Sequence, residues 1–189
     1  MKHDVYKIVR QMAVLLGRDD IALEMEQSYD IYVYSPERQL LLESVNFVAK
    51  ELAEEHFPLV RVEQHTTDDE CKVALSQFDK TVHRIVSVLD PNGKKTTFRV
   101  FDDFVKLCKP NANFEFAYEY LPAFADFNQQ IETVSLVTER LLAIGACATF
   151  CLATGLFSEA QMWDEKFQKG IERVRSRSRG EKRMPACKL

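Results

Sequence analysis

From Leu141 to Ser158 the chain runs for 18 residues without a charge, and whatever fold it adopts must bury that segment. About 18 apolar residues is the length at which a membrane-spanning helix becomes a candidate. Here the span contains Gly145, Thr149, Thr154, Gly155 and Ser158, and no aromatic belt flanks it. A buried helix ending at Thr154 is the better reading, with a peripheral membrane protein as the alternative. The small residues Ala143, Gly145, Ala146, Ala148 and Ala153 would let neighbouring helices approach closely. Gly155 suits the left-handed residue that follows a helix C-cap. Ser158-Glu159-Ala160-Gln161 then reads as a capping box, with Phe157 against Met162 as a hydrophobic staple. The two helices should form a tight antiparallel hairpin. Ala160, Trp163, Phe167, Ile171 and Val174 make the apolar stripe of the second, with Trp163 as a core anchor.

The N-terminal part is also helical in pattern. Val5, Ile8, Val9, Met12, Leu15 and Leu16 predict a helix over Lys2–Leu16 that stops at Gly17. A turn or two of helix is expected in the acidic segment Asp19–Glu26. Ser35-Pro36 combines a capping serine with proline at the first helical position, opening a helix with Leu41, Val45, Val48 and Leu52 on one face. Pro58 closes it. From Leu59 to Leu121 the period changes to two. Leu59–His65 and Thr81–Leu89 are candidate strands, and Asp90-Pro91-Asn92-Gly93 predicts a hairpin turn into Lys95–Phe101. Phe114, Phe116, Tyr118 and Tyr120 give a further strand one aromatic face before Pro122. After a linker, the next helix should begin between Phe127 and Ser135.

The expected fold is therefore α+β. Helices from both ends of the chain form a bundle, a small antiparallel β subdomain is inserted, and a C-terminal arm extends from it. The boundaries are 1–57 for the first helices, 58–122 for the β insertion, 123–179 for the completing αα-hairpin and 180–189 for the basic arm.

Little in the sequence carries catalytic chemistry. There is no G-x-G-x-x-G, P-loop, G-x-S-x-G or H-E-x-x-H, so the expectation is a protein without enzymatic activity or cofactor. His3, His56, His65 and His83 have no ligand spacing, and no metal site is expected. Cys147 and Cys151 share a helix face and read as core filler. The five cysteines form no C-x-x-C pair and follow no signal peptide, which fits a reducing intracellular compartment. Asp68-Asp69-Glu70 and Asp102-Asp103 read as solvated loop acids.

Charge is distributed unevenly. Residues 171–189 hold seven Lys/Arg against two Glu, a local +5; with the whole chain at −4, residues 1–170 carry −9. Arginines bind carboxylates or phosphates in bidentate fashion. The basic end is thus a docking arm for a protein partner, a nucleic-acid tail working with Tyr118 and Tyr120, or a solvated helix end whose cations suit the helix dipole.

The order of elements resembles the head-to-tail adaptor, or connector, proteins of tailed bacteriophages, including tail tubular adaptors. The resemblance is carried by LLLESVNFVAKELAEEHFP (Leu40–Pro58), HRIVSVLDPNGKKTTFRV (His83–Val100), FEFAYEYLP (Phe114–Pro122) and ERLLAIGACATFCLATGLFSEAQMWDEKF (Glu139–Phe167) with the basic tail. It covers nearly the whole chain as a layout rather than an exclusive signature. It implies a structural virion protein, made in the host cytoplasm and located at the head–tail interface. Copies would form a ring, of dodecameric type, beneath the portal protein and above a tail or nozzle protein. Packaged DNA would pass through the channel without sequence-specific binding, repelled by the acidic body. The portal-docking arm would comprise Arg175, Arg177, Arg179, Lys182, Arg183, Met184 and Leu189. No membrane partner is implied.

Overall fold

A computed structural model describes residues 1–27 and 35–181, with side chains of the last helix described to residue 177. The fold is mixed α+β, as expected. The chain divides into two compact units, one formed by Met1–Phe57 with Pro122–Leu189 and the other by Pro58–Leu121.

The first unit is a helical bundle fastened by a two-stranded ribbon. Strand β1 (Lys2–Asp4) precedes α1 (Val5–Leu15), so the first helix starts three residues later than its apolar pattern indicates. The reason is tertiary. His3 is paired opposite Ile131 of β8 (Gln130–Glu132), and its Nε2 lies 3.0 Å from Thr133 Oγ1 in a buried setting. Helix α2 (Asp19–Gln27) fills the acidic segment. In α3 (Pro36–Glu51) the Ser35 hydroxyl accepts from the Arg38 amide at 3.2 Å, which is the cap expected of Ser-Pro. A π-helical turn, Leu52–His56, follows directly.

Helix α4 (Glu139–Ala153) also begins later than expected. The intervening residues are occupied by β8, and Thr138 supplies the cap by accepting from the Leu141 amide at 3.2 Å. Leu142, Ala143, Ala146 and Cys147 are fully buried. A Cβ on Gly145 would meet Phe167 and Val48, so this glycine provides close approach, whereas Ala153, expected to do the same, is exposed. Gly155 has φ +79° and ends the helix as predicted. No helix among the described residues is long and apolar enough to cross a membrane.

Helix α5 (Phe157–Glu181) corrects the reading of its own start. It begins one residue before Ser158, with the Ala160 amide bonded to Leu156 O at 2.9 Å, so Ser158 lies inside the first turn and not at the cap. Phe157 is 70% exposed and Met162 43%, which is incompatible with a staple. The stripe from Ala160 to Val174 is buried throughout.

The second unit holds two three-stranded antiparallel sheets. One has the order β2 (Leu59–Thr66), β7 (Asn113–Tyr120), β4 (Val82–Leu89); the other joins β3 (Lys72–Ala74), β6 (Phe104–Lys106) and β5 (Arg99–Val100). The aromatic face of β7 is the core, with Phe114, Phe116 and Tyr118 buried and Phe78 edge-on to the latter two. The expected hairpin survives only at its turn. Asp90 Oδ1 accepts from the Asn92 and Lys94 amides, each at 2.9 Å, and Gly93 has φ +74°. Beyond a single bridge, Leu89 to Lys95, the chain leaves β4, and only Arg99–Val100 is strand, paired with β6. β4 pairs instead with the aromatic strand.

Candidate interaction faces of the helical unit

The predicted docking residues start on α5 just after Val174, its last buried side chain among the described residues. The helix continues to Glu181, so Arg175, Arg177 and Arg179 are on the helix, inside the expected 123–179 hairpin, and the helix runs two residues into the 180–189 segment expected as the arm. Backbone geometry then separates arginines that alternate in sequence, because residues four apart share a helix face and residues two apart do not. Arg175 Nη2 donates to His56 Nδ1 at 2.8 Å, against the end of α3. Arg177 faces elsewhere, with Arg173, into a groove between α4 and α5. Arg179 is helical in backbone. Lys182, Arg183, Met184 and Leu189 lie outside the described residues.

The groove, of about 560 Å³, was not anticipated from the sequence. Its charged lining consists of Arg140, Lys166, Lys169, Arg173 and Arg177, with no carboxylate; Leu136, Leu141, Ile144 and Val174 supply apolar surface. None of the five cations forms an ion pair among the described residues, although Lys166 lies over the Trp163 ring, 4.1 Å from its centroid. Other arginines of the same unit behave differently. Arg10 is paired with Glu26, Arg18 with Glu37 and Arg38 with Glu24. The legible signal was the spacing Lys166, Lys169, Arg173, Arg177, which draws one stripe on a helix.

A face of opposite sign lies where α3 passes into its π-helical turn. Ligand atoms of Glu51, Glu55 and His56 fall within 4.8 Å of one another. Burial, then the Glu55 and Asp164 carboxylates, push the Glu51 carboxyl above the usual glutamate range. The set does not make a convincing cation site. The Arg175 guanidinium takes the Nδ1 lone pair of His56, which leaves the proton on Nε2 and no imidazole lone pair for a metal. Phe47, one helical turn before Glu51, is 59% exposed beside these acids.

The remaining candidates have structural explanations. Burial pushes the Cys147 thiol up to about 12 and also raises Cys151, so neither is a ready thiolate. Asp68 Oδ1 accepts from the Glu70 and Lys72 amides and shapes its own loop. Tyr118 is fully buried and donates to Glu63 Oε1 at 2.6 Å, which removes it as a base-stacking residue.

No protein-family model and no curated protein matches the chain.

Proposed function

We propose that this protein is a structural head-to-tail adaptor of a tailed bacteriophage, a ring subunit beneath the portal that joins the DNA-filled capsid to the tail. The C-terminal end of α5 and the basic residues after it dock on the portal protein, and the opposite side of the ring meets a tail or nozzle protein. The protein acts by assembly in the virion and not by catalysis. The observation that supports this most directly is that α5 outruns its bundle. Among the described side chains its last buried one is Val174, and the helix backbone continues to Glu181, carrying Arg179 past Arg175 and Arg177, which still lie against the bundle. At about 1.5 Å per residue the overrun reaches about 10 Å past Val174. A rigid cationic projection suits recognition of an acidic surface on a partner.

The test is the mass of the purified protein alone and mixed with the portal protein encoded nearest to it, repeated after deleting residues 175–189. Closed rings on the portal, lost in the truncated protein while its helical content persists, are the expected result. Undiminished portal binding by the truncated protein would remove the docking role from this segment. A full-length chain that ignores the portal and binds DNA in a salt-sensitive way would transfer the basic end to nucleic acid.

A further inference from the structure

Two faces of opposite charge lie on opposite flanks of α5. At about 100° per residue, Lys166, Lys169, Arg173 and Arg177 fall within one narrow arc of the helix. Asp164 and Arg175 fall on the other side, and the buried stripe of Trp163, Phe167 and Ile171 lies between. The hydrogen bond from Arg175 to His56 places the second flank beside the end of α3, where the Glu55 and Asp164 carboxylates are close enough to Glu51 to disfavour its ionisation. At the bundle's α1–α3 surface Asp20, Glu24, Glu26 and Glu37 already have guanidinium partners.

We propose that the groove of Arg140, Lys166, Lys169, Arg173 and Arg177 receives, from a second copy of this chain, the acidic face of Phe47, Glu51, Glu55 and Asp164. This inference rests on the reading of the chain as a ring-forming adaptor and identifies the surfaces that join neighbours. The chemistry matches in both components. The carboxylates find cations that have no ion-pair partner among the described residues of their own subunit, and the exposed Phe47 ring finds the Leu141, Ile144 and Val174 surface of the groove. Relief of the repulsion that Glu55 and Asp164 exert on Glu51 adds to the drive for association. Because donor and acceptor faces are different surfaces, the contact is heterologous and repeats head to tail, which yields a ring when the rotation closes. A nucleic acid fits the groove less well. Its lining contains no aromatic side chain, whereas single-strand sites rely on aromatic stacking, and its apolar residues gain nothing from phosphates.

The test uses the full chain. Unlabelled and nitrogen-15-labelled copies are mixed at high concentration and low salt, coupled with a zero-length carbodiimide, and digested for mass spectrometry. Mixed-isotope amide links from Glu51 or Glu55 to Lys166 or Lys169 are expected. A groove variant, K169E with R173E, and a face variant, E51K with E55K, should each lose self-coupling in isolation. Combined, the two variants should couple again, because each keeps one native surface and the reversed charges of the other two are themselves complementary. E55K alone, at an exposed position, serves if the double face variant is unstable.

Absence of mixed-isotope links in the native chain, or links that persist in both variants, would overturn the proposal. So would salt-sensitive binding of a duplex oligonucleotide by the native chain that the groove variant loses. The outcomes separate this inference from the one beneath it. Rings on the portal that tolerate the groove variant sink the interface alone, while native coupling without portal binding sinks the adaptor reading.

Discussion

Gly145 and Phe167 are packed so closely that a Cβ on the glycine would stand 2.6 Å from Cε2 of the phenylalanine ring. The same Cβ would lie 2.8 Å from a methyl of Val48, so α4 is gripped from two sides at one residue. A small residue is required here because the space belongs to neighbouring helices, and its backbone is ordinary helix.

Gly145→Ala should therefore destabilise the bundle despite alanine's better helix propensity, by about 1–3 kcal/mol, the usual range for overpacking. Gly145→Val should cost more. Combining Gly145→Ala with Phe167→Leu should recover part of the loss. Urea unfolding of the four proteins checks this, and an alanine variant more stable than the native chain would show that the helices separate readily.

The helix caps give a second comparison. Ser35→Ala and Thr138→Ala each remove a side-chain acceptor from a free helical amide and should cost about 1 kcal/mol. Ser158→Ala should be nearly neutral, because Ser158 lies within the first turn of α5. Thermal unfolding of the three variants distinguishes them; a large loss at Ser158 would restore the capping box.

The β unit should lose stability in acid through Glu63. Burial raises its pKa, but hydrogen bonds from Tyr118, the Asp79 amide and His65, with the Arg61 charge, outweigh this and lower it overall. A lowered folded-state pKa means that the stabilisation is present above the unfolded glutamate pKa and is lost as pH falls through the lower, folded value. Tyr118→Phe removes the buried donor and should cost about 1.5–3 kcal/mol near neutrality, the range for bonds to charged groups. The penalty should shrink in acid. Denaturant titrations across pH measure both, and a pH-independent penalty would argue against an ionised Glu63.

Glu51 should behave in the opposite sense. Its carboxyl is raised by burial and by Glu55 and Asp164, so the folded state holds the proton more tightly than the unfolded one. Stability should fall as pH rises from the ordinary glutamate pKa through the raised value. Glu51→Gln should stabilise the monomer at neutral pH and flatten that slope. By the inference above it should also weaken coupling between copies. A variant that is less stable at neutral pH would mean that Glu51 has a favourable partner.

Features set by neighbouring residues are legible in the sequence alone. Ser35-Pro36 opens a helix, Gly17, Gly93 and Gly155 mark left-handed positions, and alternation along Phe114–Tyr120 identifies the buried strand face. These depend on backbone sterics and on periods of 3.6 and two, both local properties. The errors share a different cause. Lys2–Asp4 continues a helical pattern, yet it is strand because Gln130–Glu132 offers it a ladder. Lys95–Phe101 has the pattern of a second hairpin arm, but β4 found a better partner in the aromatic strand.

The same division governs the candidate faces. Composition locates a basic end, and the four arginines from 173 to 179 read as one arm because they alternate in the chain. Their shared helix sends Arg173 and Arg177 to a groove with Arg140 of α4, and Arg175 to His56 of another element. Which charges stand together is a matter of which elements pack, and packing is chosen by the buried stripe of Trp163, Phe167 and Ile171 rather than by the charges. Hydrophobic periodicity thus determined that α5 exists and which way it faces. The identity of its neighbours, and hence the grouping of polar residues on either flank, arose from contacts between segments distant in sequence, which no local pattern encodes.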